Sequence, residues 1–170
     1  PIKPTGERRT FPNAISAEGA RGMEYASSGR RDDVNQPQHL AHLVYTRCLA
    51  GPFDYTPGIF QLNISDFRGS DARVGTTLGL QLGAYVVVMA PIQMVADWPE
   101  HYKLEDGSYH PAMEYIRNMV TNWDATYPLA GELGEYAVVV RKARGEDRYF
   151  MGGVSGAEDH EATVSLDFLP

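Results

Sequence analysis

The sequence has a single cysteine, no basic run and no long apolar segment, and each of these absences removes a class of protein. Cys48 has no second cysteine within the chain, so cysteine usage leaves oxidising and reducing compartments equally open. The net charge is -7 and Lys and Arg are scattered, so neither nucleic acid nor an anionic membrane surface is an expected partner. Pro91 and Gln93 interrupt the apolar run AYVVVMAPIQMVA, which leaves no stretch of about 18 apolar residues and predicts no membrane span.

The remaining composition is that of a globular protein. Of the 170 residues, 43% are hydrophobic and 11% are aromatic, which is enough for one domain or parts of two. The chain begins with Pro1 rather than methionine, in loop-like text, and it stops just after the alternating apolar run that ends in SLDFLP. We therefore expect both ends to be interior points of a longer chain.

Residues 1–37 are rich in Gly, Ser, Asn, Pro and charged side chains, which predicts a loop of the kind that carries function on a rigid scaffold. Within it, AISAEGARGMEY holds Glu18 and Glu24, six positions apart with Gly19 and Gly22 between them. In a helix, residues six apart point to different sides, whereas a glycine-rich loop lets both side chains turn toward one pocket. On the residues alone, two ordinary surface acids are the favoured interpretation.

Helical patterns occur three times between residues 39 and 127. The run HLVYTRCLA predicts the first helix. A second helix, ending at Pro91, is predicted by an apolar face whose members are Leu78, Leu82, Tyr85 and Met89. Gly79 and Gly83 weaken this helix and indicate close packing against a neighbour. The third helix is predicted over residues 110–120.

Short extended patterns alternate with these helices, and the C-terminal part is all-β. GPFDYTPG predicts a short strand or turn, and IQMVAD a short buried strand. Beyond Tyr127, EYAVVVRKA, RYFMGG and EATVSLDFL predict strands of an antiparallel meander or sandwich, with a turn at RGED. The predicted fold class is therefore α/β: the last part of a (β/α)8 barrel over residues 1–127, followed by the opening strands of an antiparallel β-sandwich over residues 128–170.

Four motifs follow one another along nearly the whole chain: KPTGERRTFPN, AEGARGMEY, TRCLAGPFDYTPG and PIQMVADWPEHY. In this combination they resemble glycoside hydrolase family 97, bacterial calcium-dependent enzymes that act on α-glucosides and α-galactosides. The combination is specific, whereas GPFDYTPG alone is not. The resemblance implies an N-terminal β-sandwich, a (β/α)8 catalytic barrel and a C-terminal β-sandwich, of which this chain would hold the last third of the barrel and the opening of the final domain.

The same resemblance implies roles for the two acids. It assigns Glu24 as the general acid that protonates the leaving oxygen, and Glu18 as a ligand of calcium, the implied cofactor. The other catalytic carboxylates would lie outside this chain, so we expect the segment to be inactive without the remainder of the parent enzyme. The implied substrate is an oligosaccharide or glycoside, and the implied location is the bacterial periplasm or the outside of the cell.

His39, Asp54 and Tyr55 are candidate substrate-binding residues. Asp54 and Tyr55 lie in a turn, where backbone capping by Asp and packing by Tyr are slightly favoured, although a barrel would place this turn near the catalytic face. His39 follows Gln38, where many family members carry glutamate. His39 and His42 are three positions apart, a spacing that could bind zinc on a helix, but no thiolate or third imidazole is close in sequence and zinc is not expected.

A second class of function fits the same residues: a non-catalytic carbohydrate-binding or scaffold module whose β-rich end binds and whose acids are bystanders. The catalytic hypothesis requires Glu18 and Glu24 to converge on a pocket near the carboxyl ends of the strands, whereas the module hypothesis lets them face solvent apart. Of the two tryptophans, Trp123 is expected at a helix end, where it packs. Trp98, just after a barrel-like strand, stays open between packing and sugar stacking.

Overall fold

The computed structural model describes residues 6–27, 37–68 and 73–170, so the predicted loop over residues 1–37 lies partly outside the described residues. The described helices are α1 (Glu7–Thr10), α2 (Pro37–Tyr45), α3 (Ser65–Arg68), α4 (Leu78–Val87) and α5 (Pro111–Arg117). Single 3-10 turns cover Met23–Ser27, Arg47–Ala50 and Pro99–Tyr102. The strands are β1 (Trp123–Glu132), β2 (Tyr136–Ala143) and β3 (Tyr149–Ser155).

The three predicted helices form, with different ends. The first forms in two pieces, because Thr46 leaves the helical conformation between α2 and the 3-10 turn at Arg47–Ala50. The second is α4, which begins after Thr77, whose side chain accepts a hydrogen bond from the Leu80 N–H at 3.1 Å. The third, α5, ends at Arg117 and is therefore shorter than predicted.

Helix α4 lies directly against β3 through glycines on both elements. A Cβ added at Gly83 would collide with the carbonyl oxygen of Gly153, and one added at Gly152 would lie 2.6 Å from Val86 Cβ. The predicted close packing is thus confirmed at Gly83. It is wrong at Gly79, where an added Cβ would meet only the Thr77 hydroxyl oxygen, at 3.8 Å.

The strands form an antiparallel meander in the order β1-β2-β3. β2 and β3 coincide with the predicted EYAVVVRKA and RYFMGG. β1 was not predicted: Trp123 begins this strand instead of ending a helix, and its ring packs edge-on against Phe150 at 5.5 Å. Pro128 lies within β1, next to a register shift, which is a position where a strand tolerates proline.

Two predicted strands are absent from the described residues. Residues 161–169 form no strand, and Phe168 instead stacks on Tyr127 at 5.6 Å between ring centroids. Residues 92–97 are extended but make no ladder, and Ile92 and Val95 are exposed rather than buried. In both cases the apolar alternation is present in the sequence, but a strand also requires a ladder of hydrogen bonds to a neighbour. Among the described residues, the backbone of residues 92–97 pairs with that of a neighbouring segment only through the Ala96 N–H, which donates to Pro57 O.

One hydrophobic core runs from the helices into the sheet. Its members come from both sides of the predicted boundary between residues 127 and 128, and include Leu40, Phe53, Val87, Ala137, Val139 and Val154. Arg141 of β2 reinforces the connection, because its guanidinium donates to the carbonyls of Val86 at 2.6 Å and Val87 at 3.1 Å, at the C-terminus of α4. The division into two domains stays a prediction. Within the described ranges no helix has the length and apolar character needed to cross a bilayer.

Three extended segments lie side by side and position the candidate site. We call residues 16–18 the first segment, residues 53–61 the second and residues 89–97 the third. Ala17 and Phe53 form a parallel bridge, while the Phe53 N–H donates to Met89 O at 2.9 Å and the Ala96 N–H to Pro57 O at 3.0 Å. The bonded positions advance together from Phe53 and Met89 to Pro57 and Ala96, so the second and third segments run in the same direction, as the parallel bridge shows for the first two. Helix α2 lies between the first two segments in the chain and α4 between the last two.

Candidate functional site

Arg47 holds the acid loop, which we define as residues 16–25. Its side chain is buried, and its Nε donates to the Glu18 carbonyl at 2.7 Å while Nη2 donates to the Ala17 carbonyl. The same guanidinium donates to Gly51 O at 3.1 Å and lies 4.7 Å from the ring centroid of Phe53. A buried cation that satisfies several backbone carbonyls fixes the path of the loop that carries both acids.

Glu24 is exposed, and its carboxylate accepts a hydrogen bond from the Thr56 hydroxyl of the second segment. Gly22 lies against this pair: a Cβ at that position would collide with both Glu24 Oε2 and Thr56 Oγ1. Tyr55 is buried, and burial raises the pKa of its phenol, with the negative charge of Glu24 adding to the effect. The carboxylate therefore lies beside a neutral tyrosine and a hydroxyl donor.

Asp54 and His39 contact the acid loop from two other sides. Asp54 accepts a hydrogen bond from the Ser16 hydroxyl, and its N–H donates to Ala17 O at 3.3 Å, so it ties the loop to the second segment. The His39 Nε2 lies 3.2 Å from Arg21 O. Burial lowers the pKa of His39 against the opposing effect of that backbone hydrogen bond, so the ring is neutral at pH 7 and donates to the carbonyl.

The structure thus gathers the five predicted site residues around one loop: Glu18 and Glu24 within it, and His39, Asp54 and Tyr55 in contact with it or beside it. The convergence of Glu18 and Glu24 on one pocket, which the catalytic hypothesis requires, stays a prediction. The Glu18 and Glu24 side chains are both exposed, and a cavity of about 560 Å³ lies elsewhere, between α4, β2 and residues 153–160. Their catalytic and ligand roles stay predictions.

Sequence reasoning missed Arg47 and Thr56. A signal existed for Arg47, because it is a single charge inside the apolar run HLVYTRCLA, and such a charge is either exposed or fully hydrogen-bonded. No comparable signal existed for Thr56, since its partner Glu24 is 32 positions away in the chain.

Glu18 has the chemistry of a calcium ligand but does not make a site by itself. Calcium takes six to eight oxygen ligands, several of them commonly carboxylates. Across the described ranges, no group of three or more His, Cys, Asp or Glu side chains could hold a metal ion. A calcium ion bound at Glu18 would therefore need further ligands, such as backbone carbonyls, waters or groups outside the described residues.

The third segment ends in a set of polar contacts centred on Asp97. Its Oδ2 accepts hydrogen bonds from the backbone N–H groups of Phe60 at 2.7 Å and Gln61 at 2.8 Å. Its Oδ1 accepts from the Trp98 N–H at 2.8 Å and lies 2.6 Å from His101 Nδ1. Burial alone would raise the pKa of the Asp97 carboxyl, but these hydrogen bonds outweigh burial and the pKa is lowered.

Comparisons with known proteins show which family this chain resembles. Residues 122–170 match the family model described as the glycosyl hydrolase 97 C-terminal region, associated with oligomerisation. The chain is 32% identical to a retaining α-galactosidase of Bacteroides thetaiotaomicron and 34% identical to a probable retaining α-galactosidase of Streptomyces bingchenggensis. These alignments cover 98% and 96% of this chain but 25% and 22% of the relatives.

Solved structures of family 97 enzymes are also similar to this chain. The chain superposes on a glycoside hydrolase family 97 enzyme of Pseudoalteromonas sp. strain K8 in complex with acarbose, with a TM-score of 0.83 and 39% identity over 100% of this chain and 26% of that one. A variant of that enzyme in complex with panose gives a TM-score of 0.82 at 38% identity, with the same coverage. These matches place the chain among the glycoside hydrolases. More narrowly, it is similar to a segment of family 97 enzymes, and it spans about a quarter of the length of the relatives it matches.

Proposed function

We propose that this chain is the part of a family 97 glycoside hydrolase that supplies the general acid, Glu24, for cleavage of α-galactosides or α-glucosides. The supporting observation is the acid loop, in which Glu24 is hydrogen-bonded by Thr56 and the backbone is held by the buried Arg47. The substrate class is supported by the names of the relatives, which are α-galactosidases, and by the panose and acarbose complexes of the Pseudoalteromonas enzyme.

The three side-by-side segments support the further proposal that residues up to 127 are the last part of a (β/α)8 barrel. Extended segments that run in the same direction and alternate with helices are the repeating unit of that fold. Active sites of such barrels lie at the carboxyl ends of the strands. Thr56 in the second segment and Asp97 at the end of the third would then face the substrate side, with Glu24 in the loop after the first segment.

In the proposed reaction, protonated Glu24 gives its proton to the glycosidic oxygen as the bond to the sugar breaks, and a second carboxylate either attacks the anomeric carbon or removes a proton from the water that attacks it. The second carboxylate would come from the remainder of the parent enzyme. Thr56 would hold the Glu24 carboxylate in one orientation toward the leaving oxygen, and Arg47 would keep the loop in place, so that the proton transfer starts from a fixed geometry.

The test is hydrolysis of p-nitrophenyl α-galactoside and p-nitrophenyl α-glucoside by the complete enzyme and its Glu24→Gln variant. We expect the wild-type enzyme to cleave at least one of them. The variant should lose roughly 10²–10⁴-fold in kcat/KM on the methyl glycoside of that sugar, the usual contribution of general acid catalysis, and less on the p-nitrophenyl glycoside, whose leaving group needs less protonation. Glu105→Gln, at an exposed position in a different turn, is the matched control and its activity should be unchanged. A fully active Glu24→Gln enzyme would instead favour the carbohydrate-binding or scaffold module.

Calcium is the proposed cofactor, with the Glu18 carboxylate as one ligand and the other ligands from outside the described residues. We expect a chelator to lower the activity of the complete enzyme and added Ca²⁺ to restore it. In Glu18→Gln the concentration of Ca²⁺ that restores half of the activity should rise by roughly tenfold or more, because a charged ligand has been neutralised. An unchanged Ca²⁺ titration in this variant would remove Glu18 from the site.

The family resemblance also supports a proposed location in the bacterial periplasm or outside the cell. Fractionation of producing cells tests this proposal. We expect the activity in the osmotic-shock fluid or the culture medium, and activity retained in the spheroplast cytosol would contradict it.

A further inference from the structure

Trp98 presents an aromatic ring to solvent at the end of the third segment. Its side chain is 59% exposed, although tryptophan is usually well buried, and its indole is nearly parallel to the His101 ring, with 7° between the planes and 6.2 Å between the centroids. An exposed, flat ring of this kind offers an apolar face for stacking, and it stands beside a polar ring that can hydrogen-bond.

Asp97 fixes the His101 ring and the backbone at Trp98. Its carboxylate accepts from the Trp98 N–H and is bonded to His101 Nδ1, and the backbone N–H groups of Phe60 and Gln61 hold the carboxylate itself. The Asp97 side chain is only 8% exposed, so this anchor is largely shielded from water. The His101 ring, held this way, loses little conformational entropy when a ligand hydrogen-bonds to it, and the indole lies nearly parallel to that ring.

The same contact decides which nitrogen of His101 carries the proton. Asp97 is ionised at neutral pH because its pKa is lowered, and an ionised carboxylate only accepts hydrogen bonds. In its neutral form the imidazole must therefore carry its proton on Nδ1, facing Asp97, which makes Nε2 an acceptor. A hydroxyl group of a ligand stacked on Trp98 could donate to it.

This pair of rings lies at the same end of the segments as Glu24. Glu24 is bonded to Thr56 of the second segment, and the residue next to Thr56, Pro57, accepts from Ala96 just before Asp97. Thr56 and the backbone N–H groups that hold Asp97 thus belong to one segment, the second, and Glu24 and the pair of rings lie at different positions along it.

We propose that Trp98 and His101 form a subsite for a sugar ring of an oligosaccharide, one that is separate from the ring whose bond is cleaved at Glu24. The apolar face of the sugar stacks on the indole, and a hydroxyl group donates to His101 Nε2. The inference rests on the proposed function for its substrate class. It predicts that longer substrates use this subsite and that aryl monosaccharides do not.

The experiment compares KM for panose and raffinose with KM for the two p-nitrophenyl monosaccharides in the complete enzyme. Trp98→Ala should raise KM for the trisaccharide that the enzyme cleaves by roughly tenfold and leave the aryl monosaccharides unchanged, and Trp98→Phe should lie between. Tyr109→Ala removes another exposed aromatic ring, 48% exposed, and is the matched control with unchanged KM for every substrate.

The subsite would be overturned if Trp98→Ala changed KM equally for trisaccharides and aryl monosaccharides, or did not change KM at all. A lower Tm with unaltered KM would show that Trp98 only packs, and would also overturn it. The dissociation constant of panose and raffinose for the Glu24→Gln variant, with and without Trp98→Ala, separates the two proposals. If the enzyme cleaves no substrate but a trisaccharide binds in a Trp98-dependent way, the proposed function fails and the subsite stands. If neither trisaccharide binds, the subsite fails.

Discussion

At the scale of single residues, Thr56 is the contact that most directly controls the proposed acid. Removing its hydroxyl in Thr56→Ala frees the Glu24 carboxylate to adopt other orientations, so we expect kcat on methyl glycosides, whose leaving group needs the proton, to fall by roughly tenfold or more. Glycosyl fluorides need no acid and should be cleaved at the wild-type rate. Thr56→Ser keeps the hydroxyl and should restore most of the activity.

If Thr56 only supports the fold, Thr56→Ala should lower the activity on methyl glycosides and on glycosyl fluorides in parallel. That result would refute the proposal that Thr56 positions the Glu24 carboxylate. Comparing Thr56→Ala with Glu24→Gln also separates the positioning role of Thr56 from the proposed role of Glu24 as the acid. If Glu24→Gln discriminates between the two leaving groups and Thr56→Ala does not, Glu24 is the acid and Thr56 is dispensable.

The candidate site was only partly predictable at this scale. Both acids stand out in the sequence through a family motif, but the motif says nothing about what holds them. Arg47 contacts the acid loop across about 30 positions of sequence, and Thr56 across 32, so these pairs exist only after the segments have come together. Asp54 shows the same limit: its sequence context favours capping of its own turn, and the structure ties it to Ser16 instead.

At the scale of elements, the contact between α4 and β3 depends on a missing side chain. Gly83→Ala should lower stability by about 1–3 kcal/mol, because the new methyl group would collide with the Gly153 carbonyl and force the helix away from the sheet. Gly79→Ala, in the same helix with open space around it, is the matched control and should raise stability by up to about 1 kcal/mol.

Thermal unfolding of the two variants of the complete enzyme measures this difference. A Gly83→Ala protein as stable as Gly79→Ala would mean that the helix and the sheet are not in contact there.

Sequence periodicity explains why some helices and strands were predictable. Helices α2, α4 and α5 and strands β2 and β3 carry strong periodicity of their own, and the predictions for them hold. β1 was missed because proline and glycine interrupt its pattern, and the bulge that accommodates Pro128 is a tertiary feature. Residues 92–97 and 161–169 have strand-like patterns without a ladder, because pairing depends on a neighbouring chain segment.

At the scale of the whole molecule, helices and sheet share one core, and the acid loop lies against the second segment, whose Phe53 and Tyr55 belong to that core. This continuity explains why the acid loop, which carries a family motif, has a defined conformation: the loop is attached to the packed core of the chain. The family itself was predictable from four motifs in order, whereas the continuous core across residues 127 and 128 was not, because composition changes there while packing does not.

The most direct test of the central claim is the leaving-group dependence of Glu24→Gln in the complete enzyme. The measurement is kcat/KM for methyl, p-nitrophenyl and fluoride glycosides of the sugar that the wild-type enzyme cleaves. If Glu24 is the general acid, the variant loses most on the methyl glycoside, less on the p-nitrophenyl glycoside and little on the fluoride. A loss of the same size on all three substrates, or no loss, would contradict the assignment.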